Sequence, residues 1–170
     1  MMRVDLVDGE EGWPLVAALD REVYSPEFMA AAIWRDIVWA HADKRVVVSD
    51  EGRVVCHAGL FFRDGTFNGQ PAKMCGIGGV MTSPGARRKG FAGAAMTRAA
   101  EAMAGADFGL LFCEAHNVAL YAALGWKDFP GRVDCDQPCG RMSFDIMPRM
   151  VLPLAMHPAD GVIDLCGLPW

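Results

Sequence analysis

The chain carries 170 residues, of which 52% are hydrophobic and 22% charged, with a formal net charge of −5. This length suits a single domain with its own core. The acidic balance excludes a general nucleic-acid partner, and no apolar run approaches the ~18–20 residues of a membrane span.

The first residues, Met1 to Trp13, include Asp5, Asp8, Glu10 and Glu11 and lack the apolar stretch of a secretory signal. A cytoplasmic location is therefore expected. Six cysteines (Cys56, Cys75, Cys113, Cys135, Cys139 and Cys166) stand singly in the sequence and read as reduced thiols. Cys135 and Cys139 could form half of a zinc site with His157 or Cys166. No second ligand pair stands at a recognisable spacing, so no metal is expected.

In chain order, Arg3–Val7 reads as an edge strand. Residues 10–24 read as a helix with Pro14 near its start. Ser25 reads as an N-cap, with Pro26 behind it, for a second helix reaching about Trp39. Lys44–Ser49 is a strand and Asp50, Glu51 and Gly52 a tight turn. Residues 53–63 alternate with apolar side chains on both faces, the pattern of a covered central strand. Asp64 and Gly65 read as a turn, residues 67–70 as a short connection, and residues 72–82 as the next strand. A basic loop and an Ala-rich helix follow, then a buried strand over 107–113. A strand, helix and strand of this length demand a parallel, right-handed crossover. A short helix over 117–124 ends at Gly125. Residues 126–129 start a strand, 131–140 read as a loop, 141–152 as a further strand, and the tail to Trp170 as irregular. The sum is a mixed-sheet α/β domain.

The organising stretch is 77–103. Ile77, Val80 and Met81 belong to a strand interrupted by Gly78 and Gly79 and ending at Thr82. Arg87, Arg88, Lys89, Gly90, Phe91, Ala92 and Gly93 then lead into the helix. A helix N-terminus presents unpaired N–H groups and the positive end of the macrodipole, which suits a phosphate. Gly90 and Gly93 let the backbone approach an anion, and the three cations add charge at the rim. A second pattern runs from Asn117 to Trp126, with Asn117 and Tyr121 on one helical face.

Arg87, Gly90 and Ala92 fill the fixed positions of the pattern Q/R-x-x-G-x-G/A. This resembles the acetyl-coenzyme A loop of the Gcn5-related N-acetyltransferases (GNAT). Asn117, Tyr121, Gly125 and Trp126 are similar to a second motif of that family, in shortened form. A weaker likeness, in residues 73–80, 151–154, 161–165 and Trp170, is to the aminoglycoside 2-prime N-acetyltransferases and the nodulation-type acyltransferases. Those relatives carry an acid in the strand before the loop, where this chain has Gly78 and Gly79.

The resemblance implies a three-layer α/β/α fold with a central splayed sheet, in one domain over residues 1–170. Residues 1–43 would form the acceptor side, 44–130 the acetyl-CoA-binding core, and 131–170 the C-terminal strands and tail. It implies acetyl transfer from acetyl-CoA to a primary amine of a small molecule, aminoglycoside-like or polyamine-like. The alternatives are a protein or peptide amine, a longer acyl group, or a non-catalytic acyl-CoA sensor. Cofactor contacts are expected at Val80, Met81, Thr82, residues 87–93, Asn117 and Tyr121. Tyr121 would protonate the departing sulfur, and a carboxylate or histidine would deprotonate the amine. Glu114 is the first choice, and His116, His57, Asp134, Asp136 and the Trp170 carboxylate remain open. Trp13, Phe28, Trp34 and Trp39 could line the acceptor side. Dimerisation is common in the family, so a homodimer is among the expectations.

Overall fold

A computed structural model describes residues 1–170. Its frame is a ten-stranded mixed sheet. The strands are β1 (Arg3–Asp8), β2 (Lys44–Asp50), β3 (Arg53–Phe67), β4 (Gln70–Thr82), β5 (Phe108–Phe112), β6 (Lys127–Asp128), β7 (Arg132–Gln137), β8 (Gly140–Ser143), β9 (Arg149–Pro153) and β10 (Val162–Asp164). The helices are α1 (Trp13–Val23), α2 (Pro26–Ala31), α3 (Phe91–Ala102) and α4 (Val118–Ala122). No helix is long and apolar enough to cross a membrane.

The long strand β3 is the spine, as its two apolar faces imply. Its first half pairs with β2, its far end with β10, and its other edge with β4. β4 and β5 run parallel across the α3 crossover, and β9 and β6 complete that side. One core lies under α3, where Ala95, Met96 and Ala99 meet Val46, Leu60, Cys75 and Ile77. The other joins Phe108, Leu110, Phe129, Phe144 and Trp170.

Several expectations need correction. α2 stops at Ala31, because Ala32 is already extended (φ −64°, ψ 131°). Trp34 and Trp39 fit the helical period, but they pack instead into an aromatic row with Phe144. Asp64 and Gly65 lie within β3. Gly65 is there because β10 passes so close that a Cβ would strike the Asp164 carbonyl oxygen. The hairpin turn is Asn68 and Gly69, both at positive φ (50° and 77°), the conformation that a tight two-residue hairpin demands.

Residues 131–140 are a β-hairpin rather than a loop. Val133, Cys135 and Gln137 are buried while Arg132, Asp134 and Asp136 face outward. Residues 141–152 are two strands, β8 and β9, separated before Pro148 and Arg149. α4 is shorter than the expected 117–124.

The tail is ordered. β10 lies between β3 and β7, and Trp170 is 4% exposed. The Trp170 ring occupies the space over Gly76, stacks on Phe61 (5.9 Å, 16°), and donates its indole N–H to the Leu110 carbonyl at 3.1 Å. Its removal leaves a cavity against β4 and β5. Trp170→Ala is therefore expected to lower stability by about 3–5 kcal/mol in urea denaturation. A loss under about 1 kcal/mol would contradict this packing.

Candidate functional site

The site grows from an irregularity in β4. Opposite His57 and Gly59 of β3 stand Met81 and Gly78, so β4 carries one extra residue between them. That is a β-bulge, and Gly79 takes the left-handed turn it needs (φ 58°). On the other edge, pairing of β4 with β5 ends at Ile77 and Leu111. Beyond that point β5 continues against β9 while the outer edge of β4, from Gly78 to Thr82, has no strand partner. The two strands part in a wedge, and unpaired backbone groups line one side of it.

A buried histidine braces the bulge. His57 is 2% exposed and its Nδ1–H donates to the Gly79 carbonyl at 2.8 Å. Its Nε2 accepts from the Arg45 guanidinium at 3.2 Å. Arg45 in turn donates to the Gly9 carbonyl and lies over the Trp13 ring (5.0 Å). Burial pushes the imidazole down to about 4, the bond to Gly79 opposes this, and Arg45 adds to it. His57 is thus neutral and bonded at both nitrogens, and is no base. Trp13 covers Arg45 rather than an acceptor site.

At the end of β4 the Ser83 hydroxyl donates to Glu22 of α1 at 2.8 Å. The chain turns through Pro84–Ala86 and then through left-handed Arg88 (φ 62°) and Gly90 (φ 85°) into α3. Arg87, Arg88 and Lys89 are exposed. Nothing lies within 4 Å of where a Cβ would stand on Gly85, Gly90 or Gly93. A phosphate could therefore reach the first amides of α3 unobstructed, with three cations beside it. The residues present fit the diphosphate of a coenzyme A thioester.

Opposite this loop, Tyr121 projects from α4 and is 5% exposed. Burial raises its phenol well above the ordinary range, and Cys113, Tyr24 and Cys56 are near enough to add smaller contributions. Cys56, whose Sγ accepts from the Thr82 hydroxyl at 3.3 Å, belongs to the same core cluster as Tyr121, so the tyrosine packs on the α3 face of the sheet near the end of β4. Asn117 starts α4 without a side-chain capping bond.

Glu114 lies two residues beyond the end of β5, half-buried, with His116 at 3.4 Å. Asp134 and Asp136 lie elsewhere, in β7, paired with Arg132 and Arg141. The Trp170 carboxylate, by contrast, comes against Gly78 at the break in β4: its carboxyl carbon is 2.9 Å from where a Cβ would stand. No group of three or more His, Cys, Asp or Glu side chains gathers at metal-binding spacing, and all six cysteines are free.

Sequence reasoning missed Tyr24. It follows α1, and burial pushes its phenol up to about 12, with Asp20 and Glu114 adding to the shift. Its ring packs on Phe28 (5.6 Å) and Trp34 (5.9 Å). The chain has only two tyrosines, and Tyr24 is near enough to Tyr121 to help raise its phenol. That scarcity was the available signal.

A family model described as an acetyltransferase (GNAT) domain matches residues 8–128. No curated protein matches the chain. Among solved structures, a GNAT family N-acetyltransferase (YhbS) from Escherichia coli in complex with CoA is 16% identical with a TM-score of 0.62. That match covers 98% of this chain and 89% of that one. A GNAT family acetyltransferase from Brucella melitensis in complex with acetyl-CoA is 14% identical with a TM-score of 0.58, covering 96% and 94%. A GCN5-related N-acetyltransferase from Kribbella flavida is 20% identical with a TM-score of 0.57 over 77% of this chain. The chain spans about a third (34%) of that protein's length.

The brace at the bulge makes stability depend on pH. An unfolded histidine binds a proton below about 6.5, whereas folded His57 refuses one until about 4. The unfolded state therefore holds more protons in that window, and stability falls as pH drops from 6.5 towards 4. His57→Gln is expected to remove up to about 1.4 kcal/mol per pH unit of that slope, read from urea melts at pH 7 and pH 5. Equal slopes in the two proteins would contradict the brace.

Proposed function

The chain belongs to the GNAT acetyltransferases, and from that premise we propose that it is an acetyl-CoA-dependent N-acetyltransferase acting on a primary amine of a small molecule, the class that includes aminoglycoside-like and polyamine-like acceptors. One observation carries this reading: the unpaired edge of β4 from Gly78 to Thr82 lies between an open, cationic helix N-terminus and a buried tyrosine.

In this reading Arg87, Arg88, Lys89 and the first amides of α3, from Phe91 to Gly93, hold the diphosphate. The backbone at Val80, Met81 and Thr82 bonds the extended pantetheine arm as a strand would. An N–H from that edge polarises the thioester carbonyl. Asn117, at the start of α4 with no side-chain capping bond, is free to contact the same ligand.

Bound acetyl-CoA supplies the activated acetyl group, so that the amine nitrogen forms a new N–C bond as the C–S bond breaks, giving an acetamide and a free thiol. Glu114 takes the first proton from the acceptor ammonium and passes it to solvent. The raised phenol of Tyr121 stays protonated throughout the neutral range and donates to the departing sulfur. The second proton lost by nitrogen balances the one gained by sulfur, and one proton is released per turnover. Holding both reactants in one wedge supplies much of the acceleration through proximity.

Two variants test the roles separately. Tyr121→Phe is expected to lower kcat by about 10²-fold or more while acetyl-CoA affinity changes little, measured by thiol release and calorimetry. An unchanged kcat would remove Tyr121 from the proton path. Gly93→Leu is expected to weaken acetyl-CoA binding by at least about tenfold. It should also leave the helix as stable or more so, since leucine favours helix by roughly 0.6–1 kcal/mol over glycine. Unchanged affinity would move the phosphate elsewhere.

A further inference from the structure

The acceptor side of the wedge opens into a cavity of about 440 Å³ between α2 and the segments flanking β5 and β9. Phe28 and Ile33 form one wall, and Ile146, Met147 and Pro148 the other. Phe28 is 38% exposed and Ile33 63%, so both present apolar surface to whatever enters. Behind Phe28 a row of packed rings runs through Tyr24, Trp34 and Trp39 into the core at Phe144, each ring 5.6–5.9 Å from the next, and backs that wall.

The polar lining is small. Glu114 is the single carboxylate among the lining residues, with His116 next to it, and no lysine or arginine takes part. Tyr24 lies close enough to Glu114 to feel its charge. One anion in an apolar chamber suits one cation attached to an apolar body. A polycation finds no second carboxylate in this lining, so its further ammonium groups gain no ion pair there while its polar chain displaces water from apolar walls.

Resting on the acetyl-transfer reading, we propose that the acceptor is a monoamine whose ammonium pairs with Glu114 and whose apolar, ring-sized body packs between Phe28 and Ile33 on one side and Ile146 and Met147 on the other. The residues that select the acceptor are therefore distinct from those that hold acetyl-CoA. Ile33 selects by apolar contact alone, and Glu114 fixes the nitrogen.

The test uses the full chain with acetyl-CoA and follows thiol release with 2-phenylethylamine, spermidine and tobramycin. The expected result is a kcat/KM for 2-phenylethylamine at least about tenfold above either polycation, the discrimination that a few apolar contacts provide. Ile33→Glu should lower kcat/KM for 2-phenylethylamine by about tenfold or more and narrow the gap to spermidine. It should not alter acetyl-CoA affinity by calorimetry, because Ile33 lies on the acceptor side only. Preference for spermidine or tobramycin overturns the acceptor assignment while leaving acetyl transfer intact. Acetyl-CoA binding with no thiol release from any of the three overturns the acceptor assignment and catalysis together. Absence of acetyl-CoA binding overturns the underlying reading of the β4 edge.

Discussion

One inserted residue in β4 governs what this fold can do. Without the bulge at Gly79, β4 could continue alongside β5, and the backbone from Gly78 to Thr82 would be consumed by sheet pairing. With it, the strands part after Ile77 and Leu111, leaving an edge of unpaired amides and carbonyls inside the protein rather than at its rim. An exposed edge is usually a liability. Here the unpaired stretch is short, from Gly78 to Thr82, and it follows a paired segment, so it offers an extended ligand a few backbone groups rather than a whole strand edge.

Such a break has to be held open against the tendency of strands to pair. Two side chains from distant parts of the sequence do this. His57 bonds the Gly79 carbonyl, and Arg45 fills the other ring nitrogen. Farther along the same face of β3, Trp170 lies over Gly76 and brings its main chain against Gly78, with Phe61 stacked on its ring. The neutral state of His57 belongs to the same arrangement, since a charged imidazole in that position would face the Arg45 guanidinium without water. The bulge is therefore a property of the whole domain.

The two halves of the site differ in chemistry. The coenzyme side is exposed, cationic and glycine-rich on an otherwise acidic protein, which draws a polyanion from solvent. The cavity proposed for the acceptor is apolar, with a single carboxylate in its lining. Between them stand the chain's two tyrosines, whose phenols are both raised by burial and stay protonated. Under the proposed acetyl transfer, this division keeps the polyanionic donor and the amine on different surfaces on either side of the wedge.

Much of this was legible in the sequence. The Arg87, Gly90 and Ala92 spacing marked the loop. The Gly78 and Gly79 pair marked the break, and the apolar faces of residues 53–63 marked the central strand. These signals are local, set by turn chemistry and period. What escaped depended on contacts between distant segments. Gly65 looked like a turn until β10 was seen to pass beside it. Trp34 and Trp39 matched a helical period but answer to Phe144. The alternation of Val133 and Cys135 in β7 was readable and overlooked. The tail of prolines and glycines gave no hint that Trp170 would return to the centre of the sheet. Neither Tyr24 nor the brace between His57 and Arg45 could be paired from spacing alone.

The most direct test of the account is calorimetric titration of the protein with acetyl-CoA and with free CoA, followed by thiol detection on adding an amine. The account predicts one site per chain with affinity on the order of micromolar and thiol release that depends on the amine. Absence of any binding heat for either ligand would contradict it, leaving the open edge of β4 without a partner and the loop from Arg87 to Gly93 a simple strand-to-helix joint.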